Sequence, residues 1–152
     1  MPPHVTLKKT TIATAIPFSF GLSALALAHS GATGIVKERM DRFSQNKDNL
    51  KVIKAHLAED NLAAIIPPAE QIRDWAKQMP DYFPAGSNAK PSEASPEIWV
   101  DFSGFERAAA ANYQAANELI LAAQSGNATA TRDAFKATAA TCKSCHKSFR
   151  LD

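Results

Sequence analysis

Two stripes of apolar and small residues limit what this chain can fold into. Ile98, Phe102, Phe105, Ala109, Asn112, Ala116, Leu119 and Ala123 follow one another at alternating steps of four and three. Phe135, Thr138, Cys142, Cys145 and Phe149 continue the three-four spacing after Ser125-Gly126-Asn127. Side chains at that period share one face of a helix and form a heptad-like seam between packed helices. No segment alternates with period two for long, and alanine, the best helix former, is dense in the two segments that carry these stripes. Two further helices are expected upstream. Over 33–57 the apolar positions Val36, Met40, Phe43, Leu50, Ile53 and Leu57 follow helical spacing, with Lys, Asp and Gln opposite. A second helix begins at Pro67-Pro68, where proline is tolerated in a first turn, and runs through Ile72, Trp75 and Met79 to Pro80. Residues 81–95, with Pro84, Gly86, Ser87, Asn88 and Pro91, read as a loop. The third helix starts around Ser95-Pro96, and the fourth covers 128–149. The fold class is all-α, an antiparallel four-helix bundle.

The first 28 residues read differently. Lys8 and Lys9 precede an apolar run from Ile12 to Ala28, and no charged side chain follows Lys9 until Lys37. Ala26-Leu27-Ala28 supplies the small-x-small pattern that a signal peptidase cleaves. An uncleaved anchor is the rival reading; Pro17, Gly21 and several hydroxyl residues weaken it. Residues 1–28 are therefore expected to be a signal peptide and 29–152 the mature bundle domain, exported to the periplasm. No stable membrane insertion is expected.

Charge excludes one class of partner. The 17 Lys and Arg of the 152 residues include Lys8 and Lys9, so 15 remain against 15 Asp and Glu. A neutral domain does not coat a phosphate backbone, and no nucleic acid is expected.

The chemistry converges on Cys142-Lys143-Ser144-Cys145-His146. This is C-x-x-C-H, the attachment signature of c-type haem. On a helix the two thiols and the imidazole project from one face. The thiols can add to the two vinyl groups of one haem, and the imidazole beside the second thiol becomes the proximal iron ligand. Competing readings are weaker. A thioredoxin-like pair sits where a strand meets a helix, and none precedes Cys142. A structural zinc needs four ligands, with only His4, His29 and His56 left to add. A disulfide across two helical residues is strained.

The chain resembles the class II c-type cytochromes, cytochrome c prime and its low-spin relatives. Gly34-Ile35-Val36-Lys37-Glu38-Arg39-Met40 resembles the family's first helix. Tyr82-Phe83-Pro84-Ala85-Gly86-Ser87 resembles the loop after its second, and Pro96-Glu97-Ile98-Trp99 the start of its third. Cys142 through Arg150 is similar to its carboxy-terminal haem motif. The resemblance implies one haem c per chain, covalent through two thioethers, and Met40 as distal iron ligand opposite His146. Core packing is the alternative role for Met40. It also places Arg150 near the imidazole and haem; a cation favourable to the helix C-terminus is the other reading. Lys37 and Arg39 are candidates for the haem propionates. Met79, just before Pro80, is expected to lie too far out to ligate, and His29 and His56 are expected on the surface. Trp75 and Trp99 are expected in the core or along the haem edge, with electron relay as an alternative role.

With Met40 on the iron, the resemblance implies a six-coordinate carrier of single electrons, Fe(III)/Fe(II), and no enzyme. Its partners would be redox proteins, steered by a basic rim of Arg132, Lys136, Lys143 and Lys147. With the distal position open, it implies a high-spin protein that binds nitric oxide or carbon monoxide. Helix-face pairing into a homodimer is left open.

Overall fold

The computed structural model of the chain describes Met1 and residues 31–151. Apart from Met1, the expected signal segment with its expected cleavage point at Ala28, and His29, lie outside the described residues. α1 spans Gly34–Ala58, α2 Ile66–Gln78, α3 Glu97–Val100, α4 Phe102–Gln124 and α5 Ala128–Phe149. Short 3-10 turns at Ala63–Ile65 and Met79–Tyr82 flank α2. The four long helices form the bundle, and no strand occurs among the described residues.

The expected third helix is interrupted. Asp101 takes φ −119° and ψ 63°, which separates the single turn α3 from α4. The interruption is stabilised from both sides. The Asp101 carboxylate caps α4 by accepting the Gly104 N–H at 2.9 Å, and Gly104 has no Cβ to collide with it. The Trp99 indole N–H donates to the carbonyls of Phe83 and Pro84 at 3.0 and 3.1 Å, fastening α3 to the loop. Asn127 caps α5 in the same way, accepting from the Ala130 N–H at 3.0 Å. Proline at position 80 does not end the second helix outright; the chain continues through it as a 3-10 turn to Tyr82.

The core has two unlike ends. At one end Ile53, Leu57, Ile65, Ala69, Ile72, Leu119 and Ile120 form an aliphatic plug. At the other, Trp75, Met79, Phe83, Ile98 and Phe105 form an aromatic cluster, with Phe43, Cys145 and Phe149 packed against it. α4 packs along α5 and α2, and α1 along α2, whereas α1 and α5 scarcely touch. The fourth seam of the bundle is therefore held open.

The 83–96 segment bridges that seam. The Ser95 N–H donates to the Phe149 carbonyl at 3.0 Å and the Leu151 N–H to the Glu93 carbonyl at 2.8 Å. Arg150 Nε donates to Glu93 Oε2 at 2.8 Å. These bonds fix one end of the loop to the last turn of α5. Asp101→Ala should remove the cap of α4 and lower stability by about 1 kcal/mol, read as a lower urea midpoint with an unchanged denaturant slope.

Candidate haem site

A cavity of about 430 Å³ occupies the open seam, within the ordinary size range of cofactor sites. α5 contributes Thr141, Cys142, Cys145, His146 and Phe149; α1 contributes Arg39, Met40, Phe43 and Leu50. Met79, Phe83, Ile98, Phe105 and Asn112 close the floor, and Ser92, Glu93 and Ala94 of the bridging loop stand at its rim. The helical spacing of C-x-x-C-H does bring both thiols and the imidazole to one wall.

The two sulfurs meet different surroundings. Cys142 Sγ lies 3.6 Å from the Thr138 carbonyl and 3.7 Å from Asn112 Nδ2, whose other contact is Thr141 Oγ1 at 2.8 Å. Cys145 packs against the aromatic cluster. Burial raises both thiols, Cys142 less because hydrogen bonds oppose it, and Cys145 to about 11, with Cys142 nearby as a smaller cause. Both are thus protonated at neutral pH, the reverse of the depressed thiols of redox C-x-x-C sites. Burial lowers His146, the Arg150 guanidinium adds to this, and Glu93 opposes it. A neutral imidazole is the form that ligates a metal.

Met40 is half-buried and lines the cavity, as its assignment requires. One turn further along α1, Phe43 stands against the imidazole, with the two ring centroids 6.3 Å apart and the planes at 65°. The sequence placed Phe43 only on the apolar face; nothing in the spacing says which of two neighbouring stripe residues faces α5. Met79 is not remote from the cavity, as the sequence suggested, but buried on its wall. His56 is half-buried, with Nδ1 3.7 Å from Glu59, and takes no part in the cavity.

Arg39, a propionate candidate from the sequence, also holds the loop, which the sequence did not reveal. It is 2% exposed. Its guanidinium donates to the Tyr82 carbonyl at 3.2 Å, to Ser87 Oγ and Ser92 Oγ at 2.7 Å each, and to the Ser87 carbonyl. It also lies 4.4 Å from the centroid of the Phe83 ring. All its oxygen partners are neutral, and no carboxylate among the described residues forms an ion pair with it. A buried guanidinium facing a cavity without a counter-ion suits an anionic group there. Lys37, the other propionate candidate, is exposed and pairs with Asp41 along α1.

The residues fit a c-type haem: two thiols and a neutral imidazole on one wall, an apolar interior, and an unneutralised cation at the edge. The expected basic rim is smaller than its sequence count. Arg132 pairs with Asp60, and Lys136 with Asp133 at 3.0 Å. Lys143 and Lys147 have no ion pair among the described residues, and with Arg150 they border a shallow cleft beside His146.

A helical bundle with this donor set defines a helical c-type cytochrome. The chain belongs to the cytochrome c' family, whose model matches residues 34–150. It is 35% identical over 121 residues to cytochrome c' of Rhodospirillum rubrum, covering 77% of this chain and 82% of that one. Cytochrome c-556 of Agrobacterium fabrum is 30% identical over 145 residues, 95% of this chain and 97% of the relative. The crystal structure of cytochrome c' from Thermochromatium tepidum superposes with a TM-score of 0.72 at 27% identity, covering 78% and 95% of the two chains. Family members bind one haem c per chain covalently, and this protein is a haem cytochrome of that kind.

Arg39→Met keeps much of the buried length and removes every bond to the loop. It should cost about 2 kcal/mol, the scale of charged hydrogen bonds lost from a buried site. Limited proteolysis should then cut within 83–96, where the wild type resists.

Proposed function

We propose that this chain holds its haem through thioethers to Cys142 and Cys145, with His146 as proximal ligand, and presents an open sixth position to nitric oxide or carbon monoxide. One observation carries the reading: the ring of Phe43, which has no donor atom, stands on α1 against His146, centroid to centroid at 6.3 Å. The haem supplies the iron and its Fe(III)/Fe(II) couple. His146 binds from the α5 side as a neutral imidazole. Phe43 and Leu50 on α1 keep the opposite side apolar, which favours small uncharged ligands over water. Arg39 meets a propionate, and Arg150, held by Glu93 at 2.8 Å, stands beside the imidazole and limits access to it.

A single-substitution mutant of cytochrome c' from Alcaligenes xylosoxidans with this fold has been solved as a nitric oxide complex, at a TM-score of 0.69 and 24% identity. That likeness carries the fold; the reading for this chain rests on Phe43. A second reading, the six-coordinate electron carrier with Met40 on the iron, is favoured by the place of Met40 on the same cavity wall. Its partner would be an acidic redox protein meeting Lys143 and Lys147.

Visible spectra of the ferric and ferrous protein separate the two. Under the first reading the iron is high-spin and the ferrous form takes up carbon monoxide without delay. Met40→Leu, a near-isosteric change costing under about 1.5 kcal/mol, leaves the spectrum unchanged. A low-spin wild type that becomes high-spin in Met40→Leu establishes the carrier instead. In both readings the haem survives acid extraction, and changing Cys142 and Cys145 together to Ala releases it.

The protein is further proposed to act in the periplasm after loss of residues 1–28. No described helix is long and apolar enough to cross a membrane. Mass spectrometry of periplasmic material should find an amino terminus near His29; an intact Met1 in the membrane fraction contradicts this. A homodimer is proposed by analogy with the family, one solved member of which, 27% identical, shows ligand-controlled dimer dissociation.

A further inference from the structure

We infer that Phe43, Trp75 and Tyr82 form a one-electron relay from the haem cavity to the surface, through which Tyr82 supplies an electron when hydrogen peroxide is reduced at the haem. The inference rests on the proposal that the haem sits beside His146. It concerns a reaction and residues that neither ligand binding nor electron carriage assigns.

The rings form an unbroken series. Phe43 stands 6.3 Å from His146, centroid to centroid. Trp75 meets Phe43 edge to face at 5.4 Å and 89°. Tyr82 meets Trp75 at 5.0 Å and 71°. Trp75 is 3% exposed and Tyr82 is half-buried, so the series starts at the cavity and ends at solvent. Indole and phenol are the aromatic side chains that give up an electron most readily. One phenylalanine ring separates them from the haem ligand.

The surroundings fix where the oxidising charge comes to rest. The Trp75 indole Nε1 is buried and has no hydrogen-bond partner among the described residues. Arg42 lies 6.0 Å from the centroid of the Trp75 ring. An oxidised Trp75 would be a cation beside a cation, with no acceptor for its proton. Trp75 is therefore a point of transit. Tyr82 can pass its phenolic proton to water and become a neutral radical. Arg42, also 6.0 Å from that ring centroid, disfavours a positive charge remaining on the ring. The other branch is less direct: Phe83 separates Phe43 from Trp99 by two contacts of 6.4 Å each.

The electrons and protons balance from the ferrous protein. Hydrogen peroxide breaks its O–O bond and takes up two electrons and two protons to give two waters. A haem held beside His146 would supply one of these electrons from its Fe(III)/Fe(II) couple. Tyr82 gives the other through Trp75, together with its phenolic proton, and becomes a tyrosyl radical. Solvent supplies the second proton. Draining the second equivalent to the surface spares the cavity lining, where Met40, Met79 and the two thioether sulfurs would otherwise be oxidised.

The test uses ferrous holoprotein, one equivalent of hydrogen peroxide per haem, and freeze-quench electron paramagnetic resonance. The chain has two tyrosines and two tryptophans, so the radical can be assigned by substitution. Wild type should give a tyrosyl signal together with ferric iron. Tyr82→Phe, which removes only a hydroxyl, should lose the signal and still become ferric, with methionine sulfoxide rising in the cavity. Tyr113→Phe and Trp99→Phe should retain the signal, and Trp75→Phe should diminish it. A covalently loaded wild type that gives no tyrosyl signal overturns the relay, as does a signal that survives Tyr82→Phe or is undiminished in Trp75→Phe. Haem that separates on acid extraction, measured before peroxide is added, overturns the attachment reading and the relay with it.

Discussion

The structure depends on α1 and α5 being kept apart. A bundle that closed its fourth seam would bury more apolar surface but leave no room for a planar cofactor. Here the aliphatic plug of Ile53, Leu57, Ile65, Ile72 and Leu119 packs one end tightly. At the other end the 83–96 segment is tied to α1 by Arg39 and to α5 by Glu93, Ser95 and the last residues of the chain. A strap fixed at both sides sets the width of the opening. It also explains why so many backbone polar groups of an irregular segment can lie against the protein: the Tyr82, Phe83, Pro84, Ser87 and Glu93 carbonyls all find donors.

The electrostatics of the cavity agree with its shape. Both thiols and the imidazole are pushed toward their neutral forms by burial. Arg39 keeps its charge among neutral oxygens and is lowered by desolvation alone. The interior is thus apolar, with the charged groups Arg39, Lys47, Glu93 and Arg150 at its border, which matches a haem whose body is apolar and whose charge lies in its propionates. The same burial that suits the cofactor leaves the haem-free cavity with unfilled space between its walls, so cofactor binding and folding stabilise each other.

How far the site was legible varies from residue to residue. C-x-x-C-H could be read directly, because three ligating groups within five helical residues share a face whatever the rest of the chain does. The bundle could be read from the three-four stripes. The break at Asp101 was missed because the apolar stripe runs through it without a change of step, while the cap and the Trp99 bonds that stabilise the break depend on a loop brought in from 83–84. Arg39 was legible as a candidate for a haem propionate. Its clamp on the loop was not, because its acceptors lie more than forty residues away in the chain.

The sequence by itself determined the helical class, the covalent character of the cofactor site and the wall it would occupy, because these follow from local periodicity and covalent chemistry. How Met40 and Phe43 on the other wall are set relative to His146 was decided only by tertiary structure. Met40 and Phe43 are three residues apart on one helix and point within a fraction of a turn of each other. A small rotation of α1 about its axis changes how each of them faces α5. That rotation is set by long-range contacts, the clamp of Arg39 on the loop and the packing of Phe43 against Trp75 and Phe83. They bring the Phe43 ring to His146.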